Sequence, residues 1–218
     1  MTRRRGAGVI VPCIAALLFG AAAEARAQEP RLVGRLPDVP RQQVDAILDA
    51  ARGAGLPTEP LVDRALEGTA KNAPPELIVA AVLRLREELN LARGAFGDAA
   101  SSAELTAGAS ALRAGATPDD LAELRKLRRG QPLTVPAAVL ADLAAAGVPM
   151  DTGLPAVLAL AENAADADYV AFRRSVERDI ALGASPAAAV GVRLRAVSDN
   201  LPALGSVESR STPRKRKP

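Results

Sequence analysis

The residue types that most often carry catalysis are scarce in this chain of 218 residues. There is no histidine, and the single cysteine, Cys13, lies inside an apolar N-terminal segment. Two Gly-Ala-Ser sequences, ending at Ser110 and Ser185, begin like the nucleophile elbow of a hydrolase, but both lack its closing glycine. Without a histidine to accept the proton, the usual acyl-transfer triad is excluded. We predict that both serines are helical or capping residues.

Pairs of carboxyl groups are a second candidate for catalysis, because two acidic residues can act as general acid and general base in the hydrolysis of a glycosidic bond. The candidate acids lie in helical stretches beside basic residues: Asp63, Glu67, Glu87, Glu88, Glu177 and Asp179. Glu67 and Lys71 form a favourable i, i+4 pair, worth only about 0.3 kcal/mol when exposed. We therefore predict solvated acids. The alternative is a carboxylate-dependent enzyme acting on envelope glycans, which requires two acids across a groove, one of them with a raised pKa.

Metal and cofactor motifs are incomplete. Asp166 and Asp168 begin like a calcium loop that lacks its glycine and distal glutamate, and Asp168 is suited to cap a helix N-terminus. Gly53 and Gly55 begin like a dinucleotide-binding loop, without the third glycine or a preceding strand. The sequence therefore predicts no catalytic residue, no cofactor and no metal site.

The clearest charge cluster is the C-terminal run of Arg214, Lys215, Arg216 and Lys217. Residues 205–218 carry a formal charge of +4, whereas residues 28–218 together hold 24 acidic and 24 basic side chains. The run predicts weak contact with an anionic surface, and the alternative is a solubilising end. No aromatic residue is interleaved for base stacking, so we expect no specific nucleic-acid binding.

The first 27 residues are typical of a secretory signal peptide. Arginines at residues 3–5 precede an almost wholly apolar stretch at residues 9–23, and residues 25–27 form a small-x-small cleavage site. The apolar stretch is shorter than the roughly 20 residues of a membrane-spanning helix, so we expect cleavage and no transmembrane segment afterwards. The processed chain would be periplasmic or extracellular, and without cysteine it would form no disulfide.

Aliphatic periodicity predicts an all-α fold. Hydrophobic residues make up 49% of the chain and aromatic residues only 2%, while alanine and leucine, both strong helix formers, dominate. Apolar residues recur at helical spacing in nine segments. The sequences Gly-Ala-Thr-Pro and Gly-Ala-Ser-Pro, ending at Pro118 and Pro186, each combine a helix-ending glycine, a hydroxyl N-cap and a first-turn proline. Such short joints favour stacked antiparallel helical hairpins, as a short solenoid or an irregular bundle.

The predicted organisation is a signal peptide at residues 1–27, an extended lead-in at 28–40, a helical domain at 41–199 and a disordered basic tail at 200–218. Shifting the chain by 92 residues superposes the apolar pattern of two consecutive helices on that of two later ones. This match indicates either an internal duplication or chance, because alanine- and leucine-rich helices resemble one another easily.

These features favour an exported, non-catalytic helical scaffold or interaction protein that binds an unidentified protein or polymer of the cell envelope. The glycan-acting enzyme and a dimeric structural protein, whose apolar stripes a second copy completes, remain alternatives. Phe96, Tyr169 and Phe172 are either core anchors or exposed docking residues, and their exposure decides between the two. Gly68, inside a helical stretch, predicts close helix packing.

Overall fold

The structure, a computed structural model, describes residues 29–205, with side chains as far as residue 196. Within that range the chain contains nine α-helices and no strand, which confirms the all-α prediction. The helices are α1 (Asp38–Gly53), α2 (Glu59–Ala70), α3 (Pro75–Phe96), α4 (Ser102–Arg113), α5 (Pro118–Leu127), α6 (Thr134–Ala145), α7 (Met150–Ala161), α8 (Asp166–Ala181) and α9 (Pro186–Gly205).

The helices contact one another in an alternating pattern. One series of contacts runs from α1 to α3, α5, α7 and α9, and another runs from α4 to α6 and α8. Consecutive helices also pack together, with α3 on α2 and α4, α6 on α7, and α8 on α9. Each helix from α2 to α8 therefore packs against helices both before and after it in the chain.

Five helices end in the same way, and this ending sets the length of the joints. After α1, α2, α4, α6 and α8 the chain takes a positive φ, at Gly55, Asn72, Gly115, Gly147 and Gly183. At Gly115 the backbone N–H donates to Leu112 O at 3.0 Å, and the next N–H, of Ala116, donates to Ala111 O at 3.0 Å. The other four joints carry the same pair of bonds, so each helix end satisfies its last carbonyl groups and turns back sharply.

The helix starts are regularly spaced. α2, α4 and α6 are each followed by a helix that begins 16 residues after their own first residue. α4, α6 and α8 begin 32 residues apart. From α8 to α9 the interval is 20 residues, longer by about one helical turn.

The core is aliphatic, and the few aromatic residues belong to it. Phe96 and Tyr169 are fully buried and Phe172 is 2% exposed, so all three are core anchors rather than docking residues. The close packing expected at Gly68 is confirmed, because a Cβ there would lie 2.7 Å from Ile78 Cγ1. Gly108 on α4 is similar, since a Cβ there would lie 2.7 Å from Phe96 Cε2 on α3.

Two boundaries differ from the prediction. The lead-in is not simply extended: it contains a 3-10 turn at Pro30–Leu32, and α1 begins at Asp38 instead of residue 41. Leu32 and Leu36 pack into the core, and Pro40 fits the first helical turn, where a backbone N–H has no intrahelical partner. At the other end α9 continues to Gly205, past residue 199. The predicted signal peptide and the four basic residues at 214–217 lie outside the described residues.

Candidate binding groove

A groove of about 800 Å³ opens on the described surface. Its lining comes from the joint before α2, from α2 itself, and from α4 and α6. Four alanines, Ala103, Ala107, Ala138 and Ala141, form part of this lining. Because their side chains end at Cβ, they leave open the space that larger residues would fill.

Hydroxyl groups of α4 contribute hydrogen-bond acceptors to the groove. Thr106 Oγ1 donates to Ser102 O at 2.8 Å, and Ser110 Oγ donates to Thr106 O at 3.0 Å. Each hydroxyl proton is therefore committed to the helix backbone, and the oxygen lone pairs remain to accept a hydrogen bond from a ligand.

Three carboxylates line the groove, and two of them already have cationic partners. Glu59 binds Arg31 through two bonds of 2.7 and 2.8 Å, and this hydrogen bonding lowers the pKa of the Glu59 carboxyl. Asp142 lies 3.2 Å from Arg173. Asp63 is exposed and makes no hydrogen bond or ion pair with any described residue. The described lining contains no lysine or arginine, so its charged side chains are all acidic.

A smaller hollow of about 350 Å³ adjoins the groove and shares Pro60, Asp63, Thr106 and Ser110 with it. It also contains two arginines, but both are engaged. Arg64 donates to Glu67 at 3.1 Å, and Arg113 donates to Glu88 at 2.6 Å. Asp63 therefore lies where the two concavities meet, and the neighbouring cations are neutralised by other acids.

Glu104 fixes the start of α6 to the start of α4, and so holds two walls of the groove together. Its carboxylate accepts bonds from Ser101 N at 2.8 Å and from Leu133 N at 2.9 Å. Burial acts to raise the pKa of Glu104, but the bonds from these two amides and from the Ser101 hydroxyl outweigh it, and the pKa is lowered. The Ser-x-x-Glu spacing of a capping box is the signal in the sequence that identifies this residue.

A buried arginine, which sequence reasoning missed, joins the end of α5 to the start of α8. Arg128 is 2% exposed, donates to Ala164 O at 2.9 Å and pairs with Asp166 at 2.8 Å. Its guanidinium also lies 5.1 Å from the centre of the Tyr169 ring. The N-cap of α8 is Ala165, whose N–H donates to Asp168 at 2.8 Å, so the expectation that Asp168 is itself the N-cap is wrong.

The other residues considered for chemistry are dispersed. Ser110 lines the groove, whereas Ser185 is exposed in the joint before α9. Three of the six candidate acids, Glu67, Glu177 and Asp179, are ion-paired. Glu88 contradicts the expectation of solvation, because it is only 7% exposed and is held between Arg84 and Arg113. Wherever a carboxyl pKa departs from its ordinary value in residues 29–196, it is lowered, as in Glu29, Glu59, Glu67, Glu104 and Asp179.

The described residues contain no group of three or more acids that would hold a metal ion. None of the helices in this part of the chain is both long enough and apolar enough to span a membrane. Comparisons with protein-family models, curated proteins and solved structures gave no match. The functional argument therefore depends on the groove itself.

Proposed function

We propose that this protein is an exported, non-catalytic helical scaffold of the cell envelope, and that it binds a partner polypeptide in the groove of α2, α4 and α6. The observation that carries the proposal is the groove, whose volume of about 800 Å³ falls in the usual range of ligand sites. The polar groups of Asp63, Thr106 and Ser110, beside the alanines of the lining, would orient a bound segment.

The contact pattern supports a stacked arrangement of helical hairpins. In this proposal the packed consecutive pairs α2–α3, α6–α7 and α8–α9 are hairpins of a short solenoid, with α4 packed on α3 and α6 and α5 packed on α3 and α7. The regular helix starts and the shared joint chemistry favour the hairpin as the repeating unit. Solenoids bind partners along a surface to which several repeats contribute, and α2, α4 and α6 all contribute to the groove.

The location outside the cytoplasm is supported by the sequence of residues 1–27. Mass spectrometry of the native protein tests it, together with cell fractionation. We expect a chain that begins at Gln28 and is found in the envelope or the medium. An intact chain beginning at Met1 in the cytosol would contradict the proposed location.

The groove can be tested by filling it with one bulky side chain. Ala103 is exposed on α4 and lines the groove, so Ala103→Trp should obstruct the site without disturbing the core. Ala122 is exposed on α5 away from the groove, and Ala122→Trp is the matched control. Circular dichroism should show equal helicity for both variants.

Both variants and the unmodified protein are then used to capture proteins from envelope extract. We expect a partner that is retained by the unmodified protein and by Ala122→Trp but lost with Ala103→Trp. Retention of the same partners by all three proteins would refute binding in the groove.

A further inference from the structure

We infer that the occupant of the groove is an extended segment of a partner protein that carries a lysine or arginine side chain, received by Asp63 with the hydroxyl oxygens of Thr106 and Ser110. This inference rests on the proposed function and specifies its ligand.

The charge of the groove is the first argument. Its described lining holds three carboxylates and no basic side chain, so its charge favours a cationic ligand over an anionic one. Arg31 and Arg173 already neutralise Glu59 and Asp142. Asp63 is left as the lining carboxylate with no partner among the described residues, and a cation supplied by a ligand would complete the charge balance.

The hydrogen-bonding character of the site is the second argument. A lysine ammonium carries three donors and no acceptor, and a guanidinium carries five donors and no acceptor. The hydroxyl groups of Thr106 and Ser110 already donate to backbone carbonyl oxygens. Both residues line the two concavities together with Asp63. The oxygens of Asp63, Thr106 and Ser110 can therefore accept hydrogen bonds from a group that only donates them.

The groove crosses several helices, which suits an extended chain. Its lining extends from α2 across α4 to α6, and the packed pair α4 and α6 alone has axes about 8–10 Å apart. A polypeptide at about 3.3 Å per residue crosses that pair with about three residues and reaches α2 with further ones. Alanines such as Ala107 and Ala138 allow its backbone to approach the helices closely.

Binding of three fluorescein-labelled 12-residue peptides to the full-length protein tests the inference by fluorescence anisotropy. The peptides share a glycine–alanine frame and differ at three positions, which are all lysine, all glutamine or all glutamate. We expect the lysine peptide to bind about tenfold more tightly than the glutamine peptide and the glutamate peptide to bind most weakly. The preference for lysine should weaken between 50 and 500 mM salt, because exposed charge pairs are screened.

Asp63→Asn should reduce the affinity for the lysine peptide about fivefold to tenfold and leave the glutamine peptide unchanged. Asp119 on α5 is also exposed and lies outside the groove, so Asp119→Asn is the matched control and should have no effect. Equal binding of the three peptides, abolished by Ala103→Trp, would overturn the inference and leave the proposed function standing. Binding that Ala103→Trp does not reduce would refute both.

The basic tail of this chain is the competing occupant, and one further variant separates it from a partner segment. Arg214, Lys215, Arg216 and Lys217 are replaced together by glutamine, and the lysine peptide is titrated again. An affinity equal to that of the unmodified protein agrees with a partner segment. A tenfold or greater gain would show that the tail itself fills the groove, and would overturn the inference.

Discussion

Gly108 allows α4, the central wall of the groove, to approach α3, and adding a single methyl group there should separate the two helices. In Gly108→Ala the new Cβ would lie 2.7 Å from Phe96 Cε2 and 3.0 Å from Ala92 Cβ. Carbon atoms in contact prefer about 3.5–4.0 Å, so the overlap with the ring is about 1 Å. Phe96 and Ala92 are both fully buried, which leaves the ring no free space to move into.

The net effect follows from two opposing terms. Overpacking of this kind costs about 1–3 kcal/mol, whereas alanine in place of glycine in a helix contributes about 1 kcal/mol. With an enclosed ring we expect the packing term to dominate and the free energy of unfolding to fall by about 1–2 kcal/mol. For a domain of this size the melting temperature would fall by about 2–8 °C.

Gly94 provides the control, because it lies in α3, is exposed, and a Cβ there would meet nothing within 4 Å. Gly94→Ala should therefore raise the melting temperature, measured by circular dichroism at 222 nm. Adding Phe96→Leu to Gly108→Ala should cost less than the sum of the two single changes, because the smaller side chain relieves the overlap. A Gly108→Ala variant as stable as Gly94→Ala would refute the close packing of α4 on α3.

Three further changes test other parts of the structure. Gly68→Leu should lower the free energy of unfolding by at least about 2 kcal/mol, because even a Cβ at this position would lie 2.7 Å from Ile78 Cγ1. An unchanged melting temperature would contradict the α2–α3 contact. Arg128→Met removes the buried hydrogen bonds to Ala164 and Asp166 and should lower the free energy of unfolding, measured in urea, by about 3 kcal/mol. A free energy of unfolding close to that of the unmodified protein would show that the buried arginine does not stabilise the fold. The pKa of Glu104 is lower in the folded protein than its ordinary value of 4.5, so the ionised carboxylate stabilises the folded state. This contribution is complete above pH 4.5 and is lost as the pH falls through the folded-state pKa. Glu104→Gln should therefore reduce the loss of stability between pH 5 and 3, and an unchanged acid profile would show that this carboxylate contributes nothing.

The helix ends, which depend on residues nearby in the sequence, were predictable. The capping box of Thr117 and Asp120, with bonds of 2.8 and 3.2 Å, and the positive φ at Gly115 and Gly183 follow from local sequence chemistry. Gly68 was identifiable for a related reason: a glycine inside a helix is unfavourable unless close packing requires it.

The candidate site could not be derived in the same way, because it depends on side chains brought together from distant segments. Asp63 and Ser110 are separated by 47 positions in the sequence and meet only because α2 and α4 line one groove. Arg128 precedes another arginine and a glycine, a context typical of a solvated loop, and only the packing of Tyr169 and Ala164 around it accounts for its burial. The burial of Glu88 is not predictable from its own helix, because it depends on Arg113 of the next helix.

Site-specific photocrosslinking in living cells tests the central claim most directly, by placing benzoylphenylalanine at Ala103 in the groove or at Ala122 on α5. The expected result is one crosslinked product from position 103, formed at the same place in the partner each time, and none from position 122. Equal crosslinking from both positions, or crosslinking from position 122 alone, would contradict the assignment of the groove as the binding surface.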